Sequence, residues 1–383
     1  MNSLRPCFRG FALTIVVAVA LAGGAALARE WKEEDFLHKT GGTHFMVVAG
    51  RDWRTAQSVV GSTRFYQVQR GDTFLDLARY YGLGYNELVE ANPGVDVWVP
   101  PAGQIILLPT EYIIPEVEPR GVVVNIPEMR LYYFHPRHDE QAPLLVTTYP
   151  VGLGRDDWKT PQGRFKVRGK TVNPTWVLPE SIRAEHRRDG KPAPPFIAGG
   201  SPDNPLGKYR VELTLPLYGI HGTNIPWGVG MQVSHGCIRL YPEDIEQLFP
   251  VISIGDAGEF VYQPVKIGAR NGEIYAEIHK DIYEYTPGPY REAQRLLQKF
   301  GWADRIDDQR LRRAIAEQSG VPMLISRDAG SESVIEERFR PRTGQAGPRG
   351  GRTQSGTAPN HKGRTEAAPH SAADTPLVDE ALN

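Results

Sequence analysis

"HGTNIPWGVGMQVSHGCIRL", residues 221–240, is the stretch on which the reading of this chain turns. It holds Cys237, and the only other cysteine is Cys7. If Cys7 leaves with an export leader, Cys237 is a thiol with no internal partner. A lone cysteine is often a small buried apolar residue, and the count alone leaves that choice open against a reactive thiol. A thiol attacks as its thiolate. At an ordinary pKa of ~8.5 only a small fraction is ionised at neutral pH, so a nucleophile here needs a base beside it.

His221 and His235 are the candidate bases. His221 lies 16 residues before Cys237, a spacing that lets a strand end, a loop and a return bring the two together. His235 would project to the same side as Cys237 in an extended chain, but a tight "SHGC" turn would splay them. Gly236 permits a close backbone approach or a positive φ. Such a turn can aim successive N–H groups at a developing oxyanion. Arg239 suits a substrate carboxylate, and Ser234 can hold the turn or a histidine ring nitrogen. Each residue alone has a plainer role: a core histidine, a surface ion pair, an ordinary turn. His221, His235 and Cys237 could also supply three zinc ligands. No fourth ligand and no helical HExxH pattern accompanies them, so no metal is expected.

Outward from this stretch, 383 residues allow two or three domains. Apolar residues at 40% and charged residues at 23% are those of an ordinary globular chain. A net charge of −1 gives no footprint for nucleic acid. Forty glycines and 32 prolines favour strands, turns and linkers over a helical bundle. The N-terminus carries Arg5 and Arg9, the apolar run "FALTIVVAVALAGGAA" and the small-x-small site Ala26–Ala28. That is the pattern of a cleaved secretory signal peptide over residues 1–28, and it predicts export. A membrane anchor is the alternative, although the run is short for a span.

"YQVQRGDTFLDLARYYGLGYNELVEANPGVDVWVPPAGQIILLP" reads as strand–helix–helix–strand. Asp72 or Thr73 caps the first helix, Phe74, Leu77 and Ala78 share its inner face, and Gly82 and Gly84 end it. Residues 110–118, "TEYIIPEVE", read as a linker, and 29–62 carry no clear signal. From 119 to 263 short β-rich runs alternate with turn signals, with a helix at "YPEDIEQLFPVI". Residues 181–207 are rich in proline and glycine and read as a long functional loop or lid, or a plain insertion. Residues 264–328 form an extension with a strand and two helices. Residues 329–383 lack aromatic residues after Phe339 and read as a disordered tail.

Residues 65–109 resemble a LysM domain through "VQRGDTFLDLARYYG", "ANPGV" and "GQIILLP". The resemblance implies a small α+β (βααβ) fold and binding of N-acetylglucosamine-containing glycans such as peptidoglycan. Residues 119–263 are similar to the L,D-transpeptidase (YkuD-like) catalytic domain. The similarity rests on "HGTNIPWGVGMQVSHGCIRL" and extends to "EMRLYYF", "VGLG", "KTPQGRFKV" and "GSPDNPLG".

This second resemblance implies a mainly β, β-sandwich-like domain with its cysteine in a cleft under a lid. Cys237 would be the nucleophile and His221 its proton acceptor and donor. The carbonyl of Gly222 would orient the His221 ring. His235, Gly236 and Cys237, with Ser234, would shape the oxyanion site, and Arg239 would anchor the motif or a substrate carboxylate. The implied reaction releases D-alanine from a peptidoglycan tetrapeptide stem and passes the acyl group to an amine. That amine is a diaminopimelate side chain or a lysine of an outer-membrane lipoprotein. The expected compartment is the periplasm, with no cofactor, acylation by carbapenems, and a thiol reductase keeping Cys237 reduced. A wall-binding protein with an inactive catalytic domain, and a cysteine peptidase with water as acceptor, are the competing expectations.

Overall fold

The computed structural model describes residues 29–37, 44–47, 53–139 and 142–327. Residues 1–28, read above as a leader and holding Cys7, and the tail from 328 onward lie outside the described residues. Among those described, no helix is long and apolar enough to cross a membrane.

The first elements are α1 (Glu33–Leu37), β1 (His44–Val47), α2 (Trp53–Ala56), β2 (Val59–Gly61) and β3 (Arg64–Gln67). Helix α3 (Phe74–Tyr81) follows. Of its two candidate caps the structure uses Thr73, whose Oγ1 accepts the Asp76 N–H. Asp72 instead accepts the Tyr66 hydroxyl and the Gln69 N–H. Gly82 closes α3 at φ 67°, in the left-handed region that favours glycine. Helix α4 (Tyr85–Ala91) leads to β4 (Ile105–Leu108), antiparallel to β3. The inner faces of α3, α4, β3 and β4 enclose Phe74, Leu77, Ala78, Leu88 and Ile106.

Residues 110–118 are not a free linker. Glu111–Ile113 form β5, which pairs with β2, and Tyr112, Ile113 and Ile114 are buried. The segment runs between two cores and its apolar residues fill the gap, which outweighs the proline that suggested a spacer. Residues 29–62 likewise carry structure: β1 becomes an edge strand of the main sheet.

That sheet is built from β6 (Gly121–Asn125), β7 (Arg130–Phe134), β8 (Leu144–Pro150), β10 (Gly163–Val172), β13 (Tyr209–Leu213), β14 (Gly219–His221), β16 (Ile238–Arg239) and β17 (Ala257–Val261). Short strands β9 (Leu153–Gly154), β11 (Trp176–Val177), β12 (Phe196–Ile197) and β15 (Gln232–Ser234), and helices α5 (Glu180–Arg188) and α6 (Pro242–Val251), sit between them. The strand order is β1-β8-β7-β6-β17-β10-β13-β14-β16. Strand β10 gives the sheet its shape. Gly163–Lys166 pair with β17 while Val167–Val172 pair with β13, with a register shift at Val167/Gly169. An irregularity of this kind bends a strand. The two leaves then close on one core, with Val122, Leu131, Phe165, Val211, Ile220, Ile238 and, from α6, Leu248. The architecture is mainly β and sandwich-like, with the small α+β unit ahead of it.

The stretch 181–207 begins as helix α5, not as loop. Ile182 and His186 are buried and four residues apart, so one side of the helix packs down. His186, Arg187 and Arg188 stand in the last turn, where the helix dipole favours cations. The high proline and glycine count of the whole stretch hid this short amphipathic segment.

Beyond β17, β18 (Val265–Arg270), β19 (Glu273–Ile278) and β20 (Met323–Leu324) form a three-stranded sheet. Helices α7 (Pro289–Phe300) and α8 (Asp308–Glu317) cover it. Its junction with the main sheet is ionic and buried. Lys266 Nζ lies 2.8 Å from Glu128 and 2.7 Å from Glu277, and His279 Nε2 lies 2.7 Å from Glu277. Lys266→Met would leave the two carboxylates buried without their cation. Its expected cost is about 3–5 kcal/mol of unfolding free energy in urea titration; a loss below about 1 kcal/mol would show that the network does not hold the junction.

Candidate active site

Strands β14 and β16 are parallel neighbours, with Ile220 opposite Ile238 and His221 opposite Arg239. Both isoleucines are fully buried in the core. Alternation along a strand therefore turns His221, Arg239 and Cys237 toward the other face. The pairing explains the spacing read in the sequence: residues 222–237, β15 among them, are the crossover between two adjacent strands.

The His221 ring is held by its own chain. Its Nδ1 lies 2.6 Å from the Gly222 carbonyl oxygen. A carbonyl only accepts, so Nδ1 carries the proton and Nε2 keeps a lone pair in the neutral ring. Burial pushes the His221 pKa down to about 3, and the positive charges of Arg239 and Arg210 add to the effect. The ring is thus neutral at physiological pH.

Cys237 is half-buried, and its thiol points at the Leu217 carbonyl, 3.5 Å away. Burial raises its pKa, opposed by Arg210, the Gly219 amide and Arg239. The resting pair is a neutral thiol and a neutral imidazole. Leu217 adopts a φ of 71°. A branched, non-glycine residue held there is strained, and the strain sits where a carbonyl is presented to the thiol.

The turn around Cys237 is tied at several points. Ser234 Oγ donates to the Cys237 carbonyl at 2.6 Å and accepts the Gly236 N–H at 3.1 Å. Gly236 has a φ of 102°, and a Cβ there would stand 2.7 Å from the Tyr218 ring. Only glycine meets both demands. Its carbonyl accepts from Thr160 Oγ1 at 3.1 Å, which also receives the Gly154 N–H. The Tyr283 hydroxyl accepts the Thr160 N–H and donates to the Gly154 carbonyl.

His235 does not face the thiol's base position. Its Nε2 lies 3.1 Å from Glu185 on α5, and Glu185 also pairs with Arg155. The Trp158 ring packs edge-on against His235. The structure therefore brings His221, Gly222, Arg239 and Cys237 together. It sets Ser234 and Gly236 in the supporting turn and directs His235 to Glu185 on α5. Thr160, Glu185, Leu217, Tyr218 and Tyr283 were not singled out from the sequence. Thr160 lies within "KTPQG" and Glu185 within 181–207, two stretches that the sequence marks without pointing to either residue.

The strand–helix–helix–strand unit docks on the crossover. The Tyr85 N–H donates to the Val229 carbonyl and the Asn86 N–H to the Gly230 carbonyl. Arg79, on α3, pairs with Glu243 in the first turn of α6, and the Tyr241 hydroxyl donates to the Leu83 carbonyl. At Gly230, φ 82°, a Cβ would lie 2.4 Å from Gly84 Cα and 2.3 Å from Tyr85 N. Gly230→Ala is expected to push the unit off the crossover and lower turnover by about 10²-fold, the scale of a 1 Å misplacement at a reacting centre. Unchanged turnover in a steady-state assay would show that this contact does not position the site.

Residues 119–267 match the family model described as L,D-transpeptidase catalytic domain, and residues 66–109 match the LysM domain. The Escherichia coli K12 protein named probable L,D-transpeptidase YcfS is 33% identical over 287 residues, covering 72% of this chain and 88% of that one. Probable L,D-transpeptidase ErfK/SrfK of the same organism is 34% identical over 287 residues, covering 73% and 89%. Probable L,D-transpeptidase YbiS, also from that organism, is 34% identical over 280 residues, covering 70% and 89%. A shared catalytic-domain match, a LysM match and similarity along most of each relative's length lead to one conclusion: the chain belongs to the L,D-transpeptidase family.

Proposed function

We propose that this enzyme is a peptidoglycan L,D-transpeptidase that works through Cys237 and His221. The observation that carries the proposal is the Nδ1–H···Gly222 contact, which leaves His221 Nε2 as a base on the strand beside Cys237. His221 Nε2 takes the Sγ proton as sulfur attacks the carbonyl of residue three of a donor tetrapeptide stem. The tetrahedral oxyanion forms at the Ser234–Cys237 turn. The Gly236 N–H is engaged by Ser234, so the Cys237 N–H is the donor assigned to the oxyanion. Collapse breaks the amide bond, and His221 returns its proton to the leaving D-alanine amine. A thioester remains on Cys237.

An acceptor amine then attacks the thioester, loses a proton to His221 and restores the thiol. The acceptor is a diaminopimelate side chain, giving a 3–3 cross-link, or a lysine of an outer-membrane lipoprotein. Glycan binding by the LysM domain, export to the periplasm with the leader removed before Arg29, acylation by carbapenems and a reductase partner complete the proposal. Arg239 steadies the motif beneath the nucleophile. Purified enzyme incubated with disaccharide-tetrapeptide, alone and with a lipoprotein C-terminal peptide, tests it by product chromatography. Cross-linked dimer or stem-linked peptide is expected. Tripeptide alone would make the enzyme a hydrolase.

A further inference from the structure

The register of β13, β14 and β16 sets three side chains in one row. Arg210 on β13 stands opposite His221, and His221 stands opposite Arg239. Directly opposed residues share a sheet face, so the row Arg210–His221–Arg239 lies on the face that Cys237 shares. Arg210 also leans along β14. A Cβ added to Gly219 would meet Arg210 Nε at 3.3 Å and Nη2 at 3.8 Å. Gly219 precedes Ile220, and Cys237 precedes its partner Ile238, so the guanidinium lies over the backbone beside the nucleophile.

Arg210 has no counter-ion there. Its Nε is buried without a hydrogen bond, and no carboxylate pairs with it among the described residues. Nearby cations are matched: Lys208 with Glu246, Arg168 with Glu212 and Arg155 with Glu185. Arg239 is also unmatched at Nε but is only 6% exposed, whereas Arg210 is half-buried and open to a ligand. An unpaired buried donor costs about 1–3 kcal/mol, a cost that a bound anion would remove. The guanidinium fork matches a carboxylate in two parallel hydrogen bonds.

We infer that Arg210 is the subsite for the C-terminal carboxylate of the departing D-alanine. This deepens the function proposed above and rests on it. In that substrate the carboxylate is covalently the closest anion to the carbonyl that Cys237 attacks, separated from it by the amide nitrogen and one carbon. Adjacent strands are ~4.8 Å apart, so a guanidinium beside Gly219 is within reach of that group when the carbonyl is at Cys237. Arg210 thereby selects stems that end at residue four and holds the leaving group in line with His221.

The test uses the full mature enzyme with two donors, disaccharide-tetrapeptide and the same stem ending in D-alaninamide. Release of D-alanine or D-alaninamide gives kcat and KM for each. Wild type is expected to favour the acid by about 30-fold in kcat/KM, mostly through KM, the scale of one charge-assisted pair. Arg210→Gln brings the ratio near one, and Arg210→Lys restores part of it. A purely structural role would lower both donors alike and leave the ratio unchanged in Arg210→Gln, which would overturn the inference. A wild type with no preference would also overturn it while leaving the transpeptidase proposal standing. A wild type that releases neither product would remove both.

Discussion

His221→Ala is expected to slow acyl-enzyme formation by about 10³-fold while Cys237 remains present and the fold intact. The magnitude follows from general base catalysis, which contributes roughly 10²–10⁴-fold. The loss should fall on this step because burial holds the thiol neutral at rest. Without His221 Nε2 nothing on the neighbouring strand accepts the Sγ proton. His235 cannot take over, since its Nε2 is engaged by Glu185 on α5.

The pH profile separates this account from one with an ordinary histidine. The His221 pKa is pushed down to about 3. A protonated ring cannot accept a proton, but here the neutral base form persists far below the usual histidine range. The acylation rate of wild type should therefore stay level from pH 8 down to pH 5. A histidine near 6.5 would instead lose more than ten-fold over that range. Stopped-flow acylation by a carbapenem reads both effects. A steep fall below pH 6.5, or a His221→Ala rate within ten-fold of wild type, would contradict the assignment.

Gly236→Ala is the second large effect. The added Cβ meets two obstacles: a φ of 102° that side chains rarely adopt, and the Tyr218 ring at 2.7 Å. The backbone strain alone is about 1–3 kcal/mol. The turn cannot yield freely, because the carbonyls of Gly236 and Cys237 are tied to Thr160 and Ser234. The displacement therefore passes to Cys237, and a shift of about 1 Å there costs on the order of 10²-fold in rate. Acylation should fall at least that far while far-UV circular dichroism stays native. The double variant Gly236→Ala/Tyr218→Ala removes the clash but not the φ strain, so it should recover only part of the rate. Full activity in the single variant would mean that the turn does not fix the nucleophile.

The core of the site was legible in the sequence because its chemistry is concentrated in twenty residues. A lone thiol, two histidines, a glycine and an arginine within 221–240 marked the stretch, and its resemblance to the L,D-transpeptidase domain supplied the roles of nucleophile and base. The α+β unit was legible for a similar reason, since Phe74, Leu77 and Ala78 repeat at helical spacing before Gly82. What escaped depends on pairing between distant segments. Glu185 matters only because α5 folds back over His235, Thr160 only because β9 and the Cys237 turn meet beside it, and Arg210 only because β13 runs opposite β14. None carries a local signal. Helix α5 escaped because composition over the whole of 181–207 hid the Ile182/His186 spacing. Strand β5 escaped because a proline-bearing segment between two domains looks like a spacer until both of its neighbours are in place.

The central claim is that Cys237 carries the donor as a thioester. Intact mass of reduced wild-type enzyme and of Cys237→Ala, each incubated with disaccharide-tetrapeptide, addresses it directly. The wild type should gain the mass of the donor less D-alanine, mapped to the peptide containing Cys237, with one equivalent of D-alanine released. Cys237→Ala should show neither. A folded, reduced wild type with no adduct and no D-alanine, or an adduct that persists in Cys237→Ala, would contradict the account.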